Sequence, residues 1–317
     1  MDIPIPAHVF IVLISIAAII FGSIWLVDST VRVARKLKIP ELVIGLTIMA
    51  MASSAPEFMV TIMTALRGIG DISVGNIVGS NIFNLGFILG GTAILHSLKT
   101  DPKVTYRDGG FLLFGTLLLL IFLVFDHSLD RYEGYILITL LLIYLVYLFW
   151  KKEAPEPEAE TGDMRFYDPL LMVLGIVMVL AGAHFMVGSA RSLAVVMGVS
   201  DWVIAATIVA AGTSAPEFAI SLVAAIRGRY GLSVGNLIGS DIFNIFGVLG
   251  VAAILNKKLP IDSESTFSLF LLFAMVFLVL VFMRTGWKIS RKEGIILVSL
   301  GLIRWIISFA GIDINIF

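Results

Sequence analysis

TIMAMASSAPEF (residues 47–58) and TIVAAGTSAPEF (residues 207–218) are one phrase written twice, 160 residues apart. The same offset lays SVGNIVGSNIFN (73–84) on SVGNLIGSDIFN (233–244), and the two copies align without a gap from about Gly22 to Gly90. About half of the positions between residues 42 and 90 are identical to their partners, far more than shared hydrophobicity produces. The chain is a duplicated unit, and the duplication carries most of its buried polar chemistry.

The background to those phrases is apolar. Hydrophobic residues make up 59% of the 317, charged residues only 14%, and the mean hydropathy is +1.02, against roughly 45–50% apolar and about 25% charged in soluble domains. The chain therefore belongs in a lipid bilayer. It has no cysteine, which excludes disulfide and thiolate chemistry, and a formal net charge of −1 offers no basic surface for nucleic acid. The first apolar segment, His8 to Val27, lacks a basic leading region and an A-x-A site, so it reads as a retained span.

Apolar runs long enough to cross about 30 Å of hydrocarbon fall near 8–27, 42–66, 73–97, 109–126, 134–150, 168–188, 201–226, 231–255, 266–283 and 293–311. The expected fold is an all-α membrane protein of ten transmembrane helices. Residues 1–150 form a first five-helix repeat, 151–167 a charged, proline-bearing linker, and 168–317 a second repeat. Five is odd, so the second copy enters the membrane from the opposite side and the two are inverted about an axis in the membrane plane, an arrangement that brings equivalent residues together near the midplane. With both termini outside, sixteen Lys and Arg fall on the cytoplasmic side and only Arg67, Arg131, Arg191, Lys257 and Lys258 on the other. That asymmetry places the 151–167 linker in the cytoplasm of a multi-pass cell-membrane protein.

A carboxylate at the bilayer centre costs about 2.5–3.5 kcal/mol, so Glu57 and Glu217 need compensation. Helical spacing puts Ala50, Ser53, Ser54 and Glu57 on one stripe, and Ala210, Thr213, Ser214 and Glu217 on its counterpart. Pro56 and Pro216 lack an N–H and should free carbonyls near Ala52 and Gly212. The next helices add Asn76, Ser80 and Asn84, with Asn236, Ser240 and Asn244. Carboxylate, amide, hydroxyl and carbonyl oxygens without nitrogen or sulfur ligands suit hard cations such as Ca²⁺ and Na⁺. Two carboxylates are neutralised by one Ca²⁺, by two Na⁺ or by two protons, so a single pocket can trade one load for another.

At these residues the chain resembles the cation/calcium exchanger superfamily, whose two repeats carry motifs like GTS-x-PE followed by GS-x-x-x-N or GS-x-x-x-D. It looks most like the short prokaryotic sodium/calcium exchangers, because the linker holds no large regulatory domain. The resemblance implies an electrogenic sodium/calcium antiporter working by alternating access, with no cofactor and no obligate protein partner. It implies Glu57 and Glu217 as shared ligands, helped by backbone oxygens near Ala50, Ser53, Ala210 and Thr213. Hydroxyls of Ser53, Ser54, Thr213, Ser214, Ser80 and Ser240 would flank sodium, with Asn84 and Asn244 between them. The chain departs from the motif at Ala52-Ser53, where Gly-Thr is usual, and at Asn244, where potassium-dependent members have Asp. The second departure predicts potassium independence.

Competing readings are a calcium/proton antiporter, a channel, and an intramembrane hydrolase that uses the carboxylates to activate water. GN-x-x-E motifs, which the calcium/proton branch resembles, are missing, and a duplicated shell of hydroxyls and asparagines suits a carrier better than a hydrolase. Gly75, Gly79, Gly235 and Gly239 read as close-packing positions. His184 and Arg304 are expected to have no part in transport, and Asp28, Asp126, Asp130 and Glu133 to be hydrated groups at span ends.

Overall fold

The computed structural model describes residues 4–68, 70–151, 163–198, 210–256, 258–260 and 263–310. Its helices are α1 (Ile5–Leu37), α2 (Glu41–Ser53), α3 (Ala55–Leu66), α4 (Gly70–Phe83, continuing to Leu95), α5 (Gly110–Asp126, entered through 103–109) and α6 (Arg131–Trp150). They are followed by α7 (Asp168–Val196), α8 (Ala210–Thr213), α9 (Ala215–Ile226), α10 (Tyr230–Ile242, continuing to Leu255), α11 (Ser263–Arg284) and α12 (Arg291–Ala310). Seven helices among the described residues are long and apolar enough to cross a membrane, and eight if the bent pair α2–α3 is one span. The two remaining expected spans, 201–226 and 293–311, are helical over their described parts; residues 201–209 and 311 lie outside the described residues, as does 152–162 of the linker.

α1 and α7 are longer than expected, 33 and 29 residues against the 8–27 and 168–188 read from hydropathy. Helix formation does not stop where apolarity does: Ser29 donates its hydroxyl hydrogen back to Trp25 O, and the chain runs on as helix through Arg32 and Arg35. At about 1.5 Å per residue α1 spans about 50 Å, well beyond the hydrocarbon core. The two helices meet along a glycine seam. A Cβ on Gly175 would stand 2.7 Å from Gly22 O, and one on Gly182 would stand 2.8 Å from Ile19. The seam ends in an ion pair, with Arg32 Nε and Nη2 2.9 and 2.7 Å from the two oxygens of buried Asp168. Asp168 also accepts the Arg165 backbone N–H at 2.6 Å. Asp168→Ala strips both donors of their acceptor, and with Arg32 partly open to solvent the loss is that of a charged hydrogen bond, about 1.5–3 kcal/mol; thermal unfolding in detergent should show a clear loss of stability.

Two short antiparallel ribbons join the copies. β1 (Leu98–Lys99) pairs with β4 (Lys288–Ile289), and β2 (Ser128–Asp130) pairs with β3 (Lys258–Pro260). The 160-residue offset carries β1 onto β3 and β2 onto β4, so each ribbon unites unlike strands of the two copies. Asp130 and Glu133 form a capping box at the start of α6, and Asp28 lies 3.5 Å from Arg227. These acids are thus held by particular partners beyond being hydrated, while the side chain of Asp126 lies outside the described residues. Between the ribbons the core is almost wholly aliphatic, broken by a stack in which Phe111 lies between Tyr144 and Phe246, with centroids 4.5 and 4.4 Å apart.

The close-packing expectation divides by copy. A Cβ on Gly239 would meet Leu46 Cα at 2.6 Å, and one on Gly235 would meet Leu42 O at 2.9 Å. α10 and α2 therefore touch backbone to backbone. Gly75 has no such neighbour, and Gly79 faces only the guanidinium of Arg304 at 3.6 Å. The residues equivalent to Leu42 and Leu46 are 202 and 206, outside the described residues.

Candidate functional site

The Pro residues break the helices at Ser54 and Ser214, which leave helical geometry with ψ of 11° and 9°. Pro56 and Pro216 then occupy the first turn of α3 and α9, where a missing N–H costs nothing, and α2 and α3 are bent by 50°. Each break sets a glutamate, Glu57 or Glu217, into the first turn of a new helix. There the positive end of the helix dipole partly offsets a carboxylate. Both glutamates are completely buried.

The copies support each other's glutamates. Ser214 donates to Glu57 Oε1 at 3.0 Å, and Ser54 donates to Glu217 Oε1 at 3.0 Å. Ser80 lies 3.2 Å from Glu57 Oε1 and 3.1 Å from Ser214 Oγ. On the other side Ser53 Oγ lies 3.2 Å from Ser240 Oγ and 3.2 Å from Ala50 O, which Ser240 approaches at 3.5 Å. Glu57, Glu217, Ser53, Ser54, Ser80, Ser214 and Ser240, with the Ala50 carbonyl, are thus one buried cluster. Thr213 is half-buried at the end of α8, and Ala210 opens that helix. Among the described residues Glu57 Oε2 and Glu217 Oε2 have no hydrogen-bond partner, and no ion pair joins either carboxylate to a Lys or Arg. Two such groups in a low-dielectric interior demand positive charge.

The second polar stripe splits in function. Asn76 donates to Thr61 Oγ1 and Asn236 to Ser221 Oγ, both at 3.0 Å, while Ser73 and Ser233 donate to the carbonyls of Thr61 and Ser221. These contacts staple α3 to α4 and α9 to α10, and Asn236 Oδ1 in addition accepts the Ser53 hydroxyl of the cluster at 3.4 Å. Asn84 and Asn244 sit deeper, where both helices widen into π turns at Asn84–Leu89 and Phe243–Leu249. They meet two residues that stripe reasoning passed over, Asn81 and Asp241, each one position after a site serine and so turned about 100° away from it. Asn84 Nδ2 donates to Asp241 Oδ1 and Asn244 Nδ2 to Asn81 Oδ1, both at 2.9 Å; Asn81 Nδ2 donates to Asp241 O at 3.2 Å. The signal available in the sequence was the one mismatch inside GSNIFN and GSDIFN. His184 is exposed and edge-on to Phe185, away from this cluster. Arg304 is half-buried on α12 against Gly79, next to Ser80.

Residues 7–150 and 167–309 match the sodium/calcium exchanger protein family. A putative antiporter, CaxA, of Alkalimonas amylolytica is 37% identical over 300 residues, covering 90% of this chain and 93% of its own. The sodium/calcium exchanger MaX1 of Methanosarcina acetivorans is 29% identical, with 92% and 96% covered. The sodium-calcium exchanger NCX_Mj, solved after soaking with 10 mM Na⁺ and zero Ca²⁺, superposes with a TM-score of 0.84 at 31% identity over 98% of this chain and 100% of that one.

Proposed function

Because the chain belongs to the sodium/calcium exchanger protein family, we propose that it is a multi-pass membrane antiporter that exchanges Na⁺ for Ca²⁺ by alternating access at the Glu57/Glu217 cluster. The observation that carries this reading is the crossed pair of buried glutamates, each held by a hydroxyl of the opposite copy and each keeping one oxygen free. One divalent ion, or a matching number of monovalent ions, supplies the charge those oxygens lack, so the loads compete. Oxygen ligands alone favour Ca²⁺ and Na⁺ over transition metals. A carrier fits this arrangement better than a hydrolase, since the hydroxyl shell around the two carboxylates is duplicated and crossed between the copies.

Ten spans as two inverted five-helix repeats is the topology that accounts for the exchanged ribbon strands, since inversion carries one ribbon onto the other. The positive-charge asymmetry supports termini outside and the 151–167 linker in the cytoplasm, placing β1–β4 at the cytoplasmic end. The amide at Asn244 supports potassium independence. Electrogenic exchange follows if the sodium load carries more charge than the calcium.

The test is radiolabelled calcium uptake into proteoliposomes loaded with sodium and free of potassium. Uptake should require the sodium gradient, and an inside-positive potential should change its rate. Uptake driven by a proton gradient alone would reassign the protein to calcium/proton exchange, and no flux under any gradient would overturn transport.

A further inference from the structure

We propose that the three ion pairs Arg32–Asp168, Asp28–Arg227 and Glu41–Arg229 act together as a latch that closes the carrier at the end where the 151–167 linker lies and biases its resting population toward the conformation described here. The inference rests on the exchange reading above and concerns the conformational equilibrium of that carrier. Arg32 and Asp168 join α1 to α7 at 2.7 Å, Asp28 and Arg227 join α1 to the end of α9 at 3.5 Å, and Arg229 and Glu41 join the start of α10 to the start of α2 at 3.2 Å. Each pair crosses from the first copy to the second, and the last flanks the backbone contact of Gly235 with Leu42.

Inversion gives every contact a counterpart 160 residues away. The offset holds in space along α1 and α7, where the approach of Gly22 to Gly175 is repeated by that of Gly182 to Ser15. In a carrier built from inverted copies the opposite-facing state arises as each copy takes up the packing of the other, so the latch would have to be re-formed by its counterparts. Their side chains cannot do it. Opposite Arg32 and Asp168 stand Ser192 and His8, opposite Asp28 and Arg227 stand Gly188 and Arg67, and opposite Glu41 and Arg229 stand Asp201 and Ile69. None of these pairs unites a carboxylate with a cation. Ser192 donates to Gly188 O of its own helix at 3.1 Å, and among the described residues His8 Nδ1 has no partner. Charge pairing at this seam therefore favours one of the two states alone.

The seam beneath the latch is made to open. Ser23 and Thr30 lie on α1 to either side of Asp28 in sequence, completely buried, and among the described residues neither hydroxyl has a partner. A buried hydroxyl left unpaired is costly and is relieved when water reaches it, which a seam shut throughout the cycle would never allow. Their counterparts are Ala183 and Ala190, which need no such relief. The same asymmetry shows where α4 and α10 begin: Leu232 is 0% exposed, whereas its counterpart Ile72 is 51% exposed. Exchange of the two packings would expose the first and bury the second.

The chain has no cysteine, so Leu232→Cys and Ile72→Cys, made separately, report the two states through their rates of maleimide labelling on purified protein in detergent. Asp28→Asn with Glu41→Gln opens two of the pairs and leaves the buried glutamates untouched; Asp168→Asn opens the third. In either background labelling of Leu232→Cys should quicken at least about tenfold, as when a minor state gains that factor in population, while labelling of Ile72→Cys does not rise. A rise at both positions means a loosened fold and overturns the latch, as do unchanged rates. Exchanging the charges, Glu41→Arg with Arg229→Glu, should keep labelling of Leu232→Cys within a few-fold of the parent rate, and a rate raised as far as in the neutralised variant overturns the part played by charge. Sodium-driven calcium uptake by the parent is measured alongside. A parent that carries no calcium sinks the exchange reading, whereas transport with labelling unmoved in the variants sinks the latch alone.

Discussion

Glu217→Gln is expected to abolish exchange while leaving a folded protein. Gln keeps the volume of the side chain and an oxygen for the Ser54 hydroxyl, which reaches this residue from the other copy at 3.0 Å. It removes one of two charges from a cluster in which, among the described residues, no Lys or Arg is paired with either carboxylate. A cation left with half its counter-charge in a buried site loses about 3–5 kcal/mol, between about two and four orders of magnitude in affinity. Glu57→Gln should do the same, since Ser214 and Ser80 hold it as Ser54 holds Glu217. Sodium-driven calcium flux in proteoliposomes, together with size-exclusion behaviour and thermal unfolding, checks both halves of the expectation. Flux retained within a few-fold in either variant would exclude that glutamate as a ligand.

Gly239→Val should act through the fold. Its first added atom would stand 2.6 Å from Leu46 Cα and 2.7 Å from Leu46 O, and these are backbone atoms that cannot rotate aside. Overpacking of this kind costs about 1–3 kcal/mol or more, and the only relief is to push α10 away from α2. That displacement carries Ser240 away from Ser53 and from the Ala50 carbonyl, so transport should fall along with the melting temperature. Gly91→Ala is the matched control: a Cβ there meets nothing within 4 Å, and Val251 stands at the equivalent position of the other copy. Equal effects from the two substitutions would refute the close approach of α2 and α10.

Much of the candidate site could be read from residues alone, because duplication marks polar side chains that a single apolar helix would hide. Helical spacing placed Ser53, Ser54 and Glu57 together, and side chains of the second copy meet them in the crossed contacts of Ser54 with Glu217 and Ser214 with Glu57. Spacing also has limits. Asn76 and Asn236 share the stripe of Ser80 and Ser240 yet donate to Thr61 and Ser221, since a stripe several turns long faces different neighbours at different heights, although Asn236 Oδ1 also accepts the Ser53 hydroxyl. Asn81 and Asp241 were missed for the opposite reason: a straight helix turns them off the stripe, toward the other copy. The ribbons were invisible because two or three residues carry no period, and α1 outran its apolar segment because hydropathy records where lipid ends, whereas a helix ends only at a stop such as Pro40 beyond Lys38.

The exchanged strands also set a timetable. Leu98–Lys99 and Ser128–Asp130 emerge from the ribosome long before Lys258–Pro260 and Lys288–Ile289, the segments that complete them. Until then each early strand presents an unmatched edge, and the Glu57 carboxylate lacks the serine that greets it from the later copy. The first copy is therefore an unfinished object at the moment it is inserted, and the second is less an addition to it than the template on which it settles.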